Sequence, residues 1–185
     1  KVKVGHAGTL DPLATGLLIV CVGRFTKKIE EIQAMPKAYS GTFYIGATTP
    51  SYDLETEVDA HYATTHITPE LIEQARQRFV GDIMQVAPIH SAKKINGPRA
   101  YDLARKGEEV EMKQSHVSIY DFALPKIEMP IIHFEVKCSK GTYIRSLAFD
   151  FGLALQSGAY MASLRRTAIG EYKVDDALQM KDFDL

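Results

Sequence analysis

Gly5-His6-Ala7-Gly8-Thr9-Leu10-Asp11-Pro12-Leu13-Ala14-Thr15-Gly16, followed at once by Leu17-Leu18-Ile19-Val20-Cys21-Val22, decides how this chain is read. Its glycines and Asp-Pro step describe a tight loop whose backbone another molecule can approach closely. The apolar run behind the loop has the length of a buried strand, so the loop is expected close to a sheet. An Asp before Pro is, taken alone, an ordinary turn residue. Here it is the one carboxylate of a shaped loop, which makes Asp11 the candidate catalytic group.

Composition bounds what such a loop can serve. With 185 residues, 45% of them hydrophobic, the chain is long enough for one well-buried core. Two cysteines, Cys21 and Cys138, are too few for a disulfide framework and lack metal-ligand spacing. They read as buried thiols of a reducing compartment, so a cytoplasmic location is expected. The longest apolar run falls far short of the roughly 18 residues that suggest a membrane span. A net charge of −1 argues little for a nucleic-acid partner, yet the basic residues cluster. They group at Arg24, Lys27, Lys28; at Lys93, Lys94, Arg99; at Arg105, Lys106; at Lys137, Lys140, Arg145; and at Arg165, Arg166, with the acids Asp53, Glu55, Glu57 and Asp59 elsewhere. Segregation of this kind permits a positive face on a neutral protein, and it is equally what a solvated surface looks like.

The chain reads as α+β, with a mixed, mostly antiparallel central sheet flanked by helices. Tyr39 to Thr48 alternates as a half-buried strand, closed by Thr49-Pro50. Thr68-Pro69-Glu70 has the capping hydroxyl, first-turn proline and acid of a helix start. Ile67, Leu71, Ile72, Ala75 and Phe79 supply its apolar stripe, with Gly81 as its stop. A short helix is expected at Arg99 to Lys106. Val117 to Leu124 and Ile131 to Cys138 read as strands joined across Pro125 to Pro130. A further amphipathic helix follows from Ile144, Leu147, Ala148, Phe151 and Leu155, ending near Gly158.

Four separated motifs then stand in one order: the loop Gly5 to Gly16, Lys37-Ala38-Tyr39, Cys138-Ser139-Lys140-Gly141-Thr142-Tyr143-Ile144-Arg145, and Leu164-Arg165-Arg166. In this order they resemble the bacterial TruB-type tRNA pseudouridine synthases. The resemblance implies a pseudouridine synthase fold and isomerisation of a T-loop uridine of tRNA, without metal or organic cofactor. It implies Asp11, Tyr143 and Arg145 as catalytic residues. Isomerisation breaks the N1–C1′ bond, turns the uracil and joins C5 to C1′, and a carboxylate assists as nucleophile or base. A carboxylate kept ionised in a sheltered pocket needs a cation beside it, the part assigned to Arg145. Tyr39 would stack on the uracil, Leu164 would pack against it, and Tyr143 would line the pocket and transfer a proton after rearrangement. His6 would fill the space left by the flipped base. Without the resemblance, Tyr39 and Tyr143 would read as strand packing.

The resemblance further implies one catalytic domain over residues 1–185, with an RNA-gripping thumb at about 61–116. Within that segment Lys93, Lys94, Arg99, Arg105 and Lys106 are suspected phosphate contacts or, equally, a solvated face. A first strand with a Lys-Pro-x-Gly motif, which supports the site in relatives, and a C-terminal PUA domain are both expected to be missing. The partner is the tRNA T-arm, with no membrane, metal or obligate protein partner expected. A Walker loop is excluded because the glycine-rich stretch lacks Gly-Lys-Ser/Thr. A retaining glycosidase needs a second acid near Asp11, and the motif holds none. Two readings compete with the stand-alone enzyme: a non-catalytic RNA-binding or tRNA-folding module, and a guide-RNA-dependent synthase sharing Gly8-Thr9-Leu10-Asp11-Pro12. The continuation Leu13-Ala14-Thr15-Gly16 leans toward the stand-alone type.

Overall fold

The structure, a computed structural model, describes residues 2–88 and 114–182. A seven-stranded sheet organises it. The strands are β1 (Val4–His6), β2 (Thr15–Gly16), β3 (Val20–Val22), β4 (Lys37–Ile45), β5 (Ala47–Thr48), β6 (Ala60–His61), β7 (Gly81–Val86), β8 (Gln114–Glu128), β9 (Ile131–Cys138), β10 (Ala159–Ile169) and β11 (Tyr172–Lys173). The sheet runs β11-β10-β4-β9-β8-β7, every pair antiparallel, and β2 adds to β10 in parallel. Three α-helices are described: α1 (Ile29–Ala34), α2 (Pro69–Gln77) and α3 (Ile144–Ala154). The α+β expectation is met.

Helix α2 starts where its sequence places it. The Thr68 hydroxyl accepts the Leu71 N–H at 3.2 Å, and Pro69 opens the first turn. Its end comes earlier than Gly81, at Arg78, whose N–H turns back to the carbonyls of Ala75 and Arg76; Gly81 instead opens β7 in a left-handed conformation. Ile72 and Ala75 bury against Phe43, Phe122, Phe134, Phe151 and Leu147 of the main core. Helix α3 likewise stops at Leu155, before Gly158, because Gln156 takes a positive φ of 54°.

Three strand readings are corrected. Pro125 does not end β8: the strand passes through it to Glu128, with a register irregularity between Ala123 and Lys126 opposite β9. Such an irregularity leaves the residue without a ladder bond, so proline's missing N–H costs nothing there. The run Leu17 to Val22 is not a fully buried strand either. Its strand part, β3, pairs with β1, burying Cys21 on one face with Ala7, Ile32 and Ile169 while Val20 and Val22 stay exposed on the other. The strand expected from Tyr39 begins at Lys37 and breaks at Gly46, which has a φ of 97°. The helix expected at Arg99 to Lys106 lies outside the described residues. Among those residues, no helix is long and apolar enough to cross a membrane.

Candidate active site

The loop carrying Asp11 is fastened by one strand of the sheet. Thr15 and Gly16 run parallel to Arg165 and Arg166, and the Leu17 N–H donates to the Arg166 carbonyl at 2.9 Å. From the same residue, the guanidinium folds under the loop and donates to the carbonyls of Leu17 (2.8 Å), Gly8 (3.0 Å) and Thr9 (3.5 Å). Arg166 is 2% exposed. Of the basic group Arg165-Arg166, only Arg165 can contribute to a charged face: it is exposed, and Arg166 is an interior clasp. Strand alternation carried the signal, since Arg166 stands two residues from inward-facing Leu164.

Gly16 permits this closeness. Its φ is 102°, and a Cβ there would lie 2.2 Å from the Arg166 carbonyl oxygen. Gly16→Ala is expected to destabilise the protein by about 2 kcal/mol or more and to lower turnover with it, because the loop must lift off β10. Thermal melts beside single-turnover rates check this; parental values of both would show that the loop does not depend on the contact.

Asp11 meets Arg145 across this loop. Arg145 Nε donates to Asp11 Oδ2 at 2.9 Å and Nη2 to Oδ1 at 3.1 Å, a two-point contact. Arg145 is 4% exposed and sits in the first turn of α3, whereas the Asp11 side chain keeps about a third of its surface open. A second acid stands beside the same guanidinium nitrogen. Asp53 Oδ2 lies 3.6 Å from Arg145 Nε, and Asp53 is 2% exposed. Its carboxylate is itself held, accepting from Ser51 Oγ at 2.6 Å and from the Glu55 N–H at 2.9 Å, while the Ser51 carbonyl accepts from Arg145 Nη1 at 3.3 Å. Tyr52, between them, has a φ of 63° and stacks on Phe149 of α3 with ring centroids 4.2 Å apart. A bulky residue persists in the left-handed region only where its surroundings hold it. Asp53 thus belongs to the site, although the sequence sets it among acids apart from the basic groups.

Thr9, Leu10, Asp11, Tyr39, Thr142, Tyr143, Ile144, Arg145 and Leu164 line one cavity of about 120 Å³. Five of the six residues expected at the catalytic centre are brought together there. The sixth, His6, is exposed on β1, opposite Val20 and outside that lining. Tyr143 is not a strand residue: it is the N-cap of α3. Burial pushes the Tyr39 phenol above its ordinary value, with Cys138 acting the same way and the Arg166 guanidinium opposing. Tyr39 is therefore a neutral aromatic wall at working pH. Burial also pushes the Cys138 thiol up to about 11, which makes it no nucleophile. Lys93, Lys94, Arg99, Arg105 and Lys106 lie outside the described residues. No cluster of three or more metal-ligating side chains occurs among the described ones.

Residues 1–144 match the profile described as "TruB family pseudouridylate synthase (N terminal domain)", and residues 145–185 match "tRNA pseudouridylate synthase B C-terminal domain". The chain belongs to the TruB family. It is an isomerase of the uridine-to-pseudouridine type. Among its relatives named tRNA pseudouridine synthase B, that of Flavobacterium johnsoniae is 55% identical over all of this chain and 80% of its own length. That of Bacteroides fragilis is 56% identical over 99% of the chain and 78% of its own. Solved structures resemble it too. A Cbf5-Nop10-Gar1 complex matches with a TM-score of 0.69 at 28% identity over 92% of this chain, and an H/ACA RNP bound to a substrate RNA containing 2′-deoxyuridine with 0.67 at 26% over 96%. The chain spans about two fifths of those two chains, 41% and 42%. Within this TruB-family chain the two profiles meet at the first turn of α3, yet one sheet and one core run through both: β10, from the second, lies between β11 and β4 and carries the clasp of the first profile's loop.

Proposed function

We propose that this chain isomerises the T-loop uridine of tRNA, unaided by a guide RNA, with Asp11 as the reacting carboxylate and Arg145 as its fixed cation. The observation that carries the reading is the two-point Arg145–Asp11 contact at the wall of a cavity of about 120 Å³ lined by two tyrosines and two leucines. That volume suits one flat ring rather than a whole nucleotide; an apolar core cavity of about 150 Å³ holds benzene. The target base must therefore leave its stack and enter alone, at a cost of a few kcal/mol that stacking on Tyr39 and packing on Leu164 offset.

Within the cavity, Asp11 assists rupture of the N1–C1′ bond, and the freed uracil turns between Tyr39 and Leu164 until C5 faces C1′. The new C5–C1′ bond forms, C5 then loses its proton and N1 holds one, so no atom is gained or lost. Tyr143, which lines the cavity, makes that late transfer. His6, exposed on β1, takes the place vacated by the base. Identity of 54–56% to bacterial synthases, against 26–28% to the Cbf5-type chains, supports the stand-alone reading over the guide-dependent one. The test is incubation of the chain with a T-arm hairpin alone, with pseudouridine detected by carbodiimide modification and reverse-transcription stops. A stop at the T-loop uridine is expected; turnover appearing only after a guide RNA is added would overturn the proposal.

A further inference from the structure

Strand β7 exposes Asp82, Met84 and Val86 and turns Ile83 and Gln85 inward. An apolar residue would serve at the second inward position, yet Gln85 stands there, 2% exposed. Burying an amide is costly unless both of its ends are bonded. Both ends go to a single residue of the active-site wall. Gln85 Oε1 accepts the Tyr143 N–H at 2.7 Å, and Gln85 Nε2 donates to the Tyr143 carbonyl at 3.0 Å.

Tyr143 occupies a place where the backbone needs outside help. As N-cap of α3 it has φ −99° and ψ 109°, so its N–H has no helical partner. The neighbouring segments are anchored separately. On one side the Ser118 N–H donates to Ser139 Oγ at 2.9 Å, the Ser139 N–H to the Ser118 carbonyl at 2.8 Å, and Thr142 Oγ1 to the Ser139 carbonyl at 2.9 Å. On the other, Ser146 Oγ donates to the Val86 carbonyl at 2.6 Å. Between these anchors the side chain of Gln85 holds the peptide groups on either side of the Tyr143 Cα, which fixes the direction from which the phenol enters the cavity and where the first turn, bearing Arg145, begins.

We propose that Gln85 is a positioning residue for the isomerisation, acting through the backbone of Tyr143. The proposal rests on the assignment of Tyr143 to the reaction, and extends it to a strand that does not line the cavity. Shape and donor set are both required: Met keeps the length and loses both bonds, and Glu keeps the acceptor for the N–H and loses the donor to the carbonyl.

The experiment compares the full chain with its Gln85→Met and Gln85→Glu variants on the T-arm hairpin. It measures single-turnover rate, RNA affinity and hydrogen exchange at the Tyr143 amide, all well below the melting temperature. For Gln85→Met the expected result is a rate loss of about 10²-fold, as for an ångström-scale misplacement, with affinity within about twofold and the Tyr143 amide newly exchanging. For Gln85→Glu it is a smaller rate loss with that amide still protected. A merely structural role would lower the melting temperature and leave the rate at low temperature unchanged, and that outcome, or a rate loss matched by an equal loss of affinity, overturns the proposal. If Gln85→Met does not fold, Gln85→Glu decides by the same criteria. Tyr143→Phe separates the two assignments: parental turnover in that variant would sink the role of the phenol, whereas a double variant no slower than Tyr143→Phe locates the effect of Gln85 in Tyr143.

Discussion

Asp11→Asn is expected to abolish pseudouridine formation, by about 10⁴-fold or more, while the T-arm hairpin still binds. The change is isosteric, so the loop keeps its shape on Arg166 and β10. It removes the charge that attacks or accepts a proton when the N1–C1′ bond breaks, a group that hydrogen bonding alone cannot replace. It also opposes two donors: one of the two Asp11–Arg145 contacts would place an amide NH₂ against a guanidinium N–H. The guanidinium is still faced by Asp53 and the Ser51 carbonyl, so the fold is expected to survive. Carbodiimide stops measure the turnover and fluorescence anisotropy the binding. Residual turnover within about tenfold of the parent would remove Asp11 from the reaction, and loss of binding together with turnover would make the loop an RNA-docking element first.

Arg145→Met is expected to be the most damaging single change to stability and to activity together. The guanidinium is 4% exposed between Asp11 and the equally buried Asp53, and replacing it leaves both carboxylates without their counter-charge. Breaking a buried ion pair from one side costs about 3–5 kcal/mol, since the remaining charge is stranded. For a chain of this size that corresponds to a melting temperature lower by about 10 °C. Activity is expected to fall by about 10³-fold or more even where the variant is folded, because Asp11 loses the two contacts that aim it. Arg145→Lys returns the charge but only one point of contact, so it should recover part of the stability and little of the rate. Calorimetry and single-turnover rates on the folded fraction test this. A full rate in Arg145→Lys would mean that charge, and not two-point geometry, is what Asp11 requires.

These expectations draw on residues of two kinds. Tyr39, Tyr143, Arg145 and Leu164 were named through the resemblance that the four ordered motifs carry, and Asp11 was legible also as the one carboxylate of a glycine-rich loop. Helix α2 was legible for a similar reason, since Thr68 and Pro69 state their capping role locally. Asp53, Arg166 and Gln85 were missed. Asp53 sits in an acidic stretch that reads as solvated, Arg166 beside another arginine, and Gln85 in a strand with exposed neighbours. What separates each from those neighbours is burial, which depends on what the chain brings up against it. Pro125 misled for the opposite reason. Its local meaning is a break, and only the irregular pairing of β8 with β9 lets a strand run through it.

The sequence by itself determined the family, the reaction and a mostly antiparallel sheet with helices, and it named Asp11 and Arg145 as the pair proposed to react, because these are written in contiguous motifs and in two short-range periods. Only the tertiary structure decided how the carboxylate is aimed. Arg166 lies 155 residues from Asp11, Arg145 lies 134, and Asp53 and Gln85 come from other elements again. Their hydrogen bonds arise from sheet order, from the parallel pairing of β2 with β10, and from the way α3 starts against β7. A buried polar group is stable only with its partners, and partners so distant in sequence are chosen by topology rather than by local pattern.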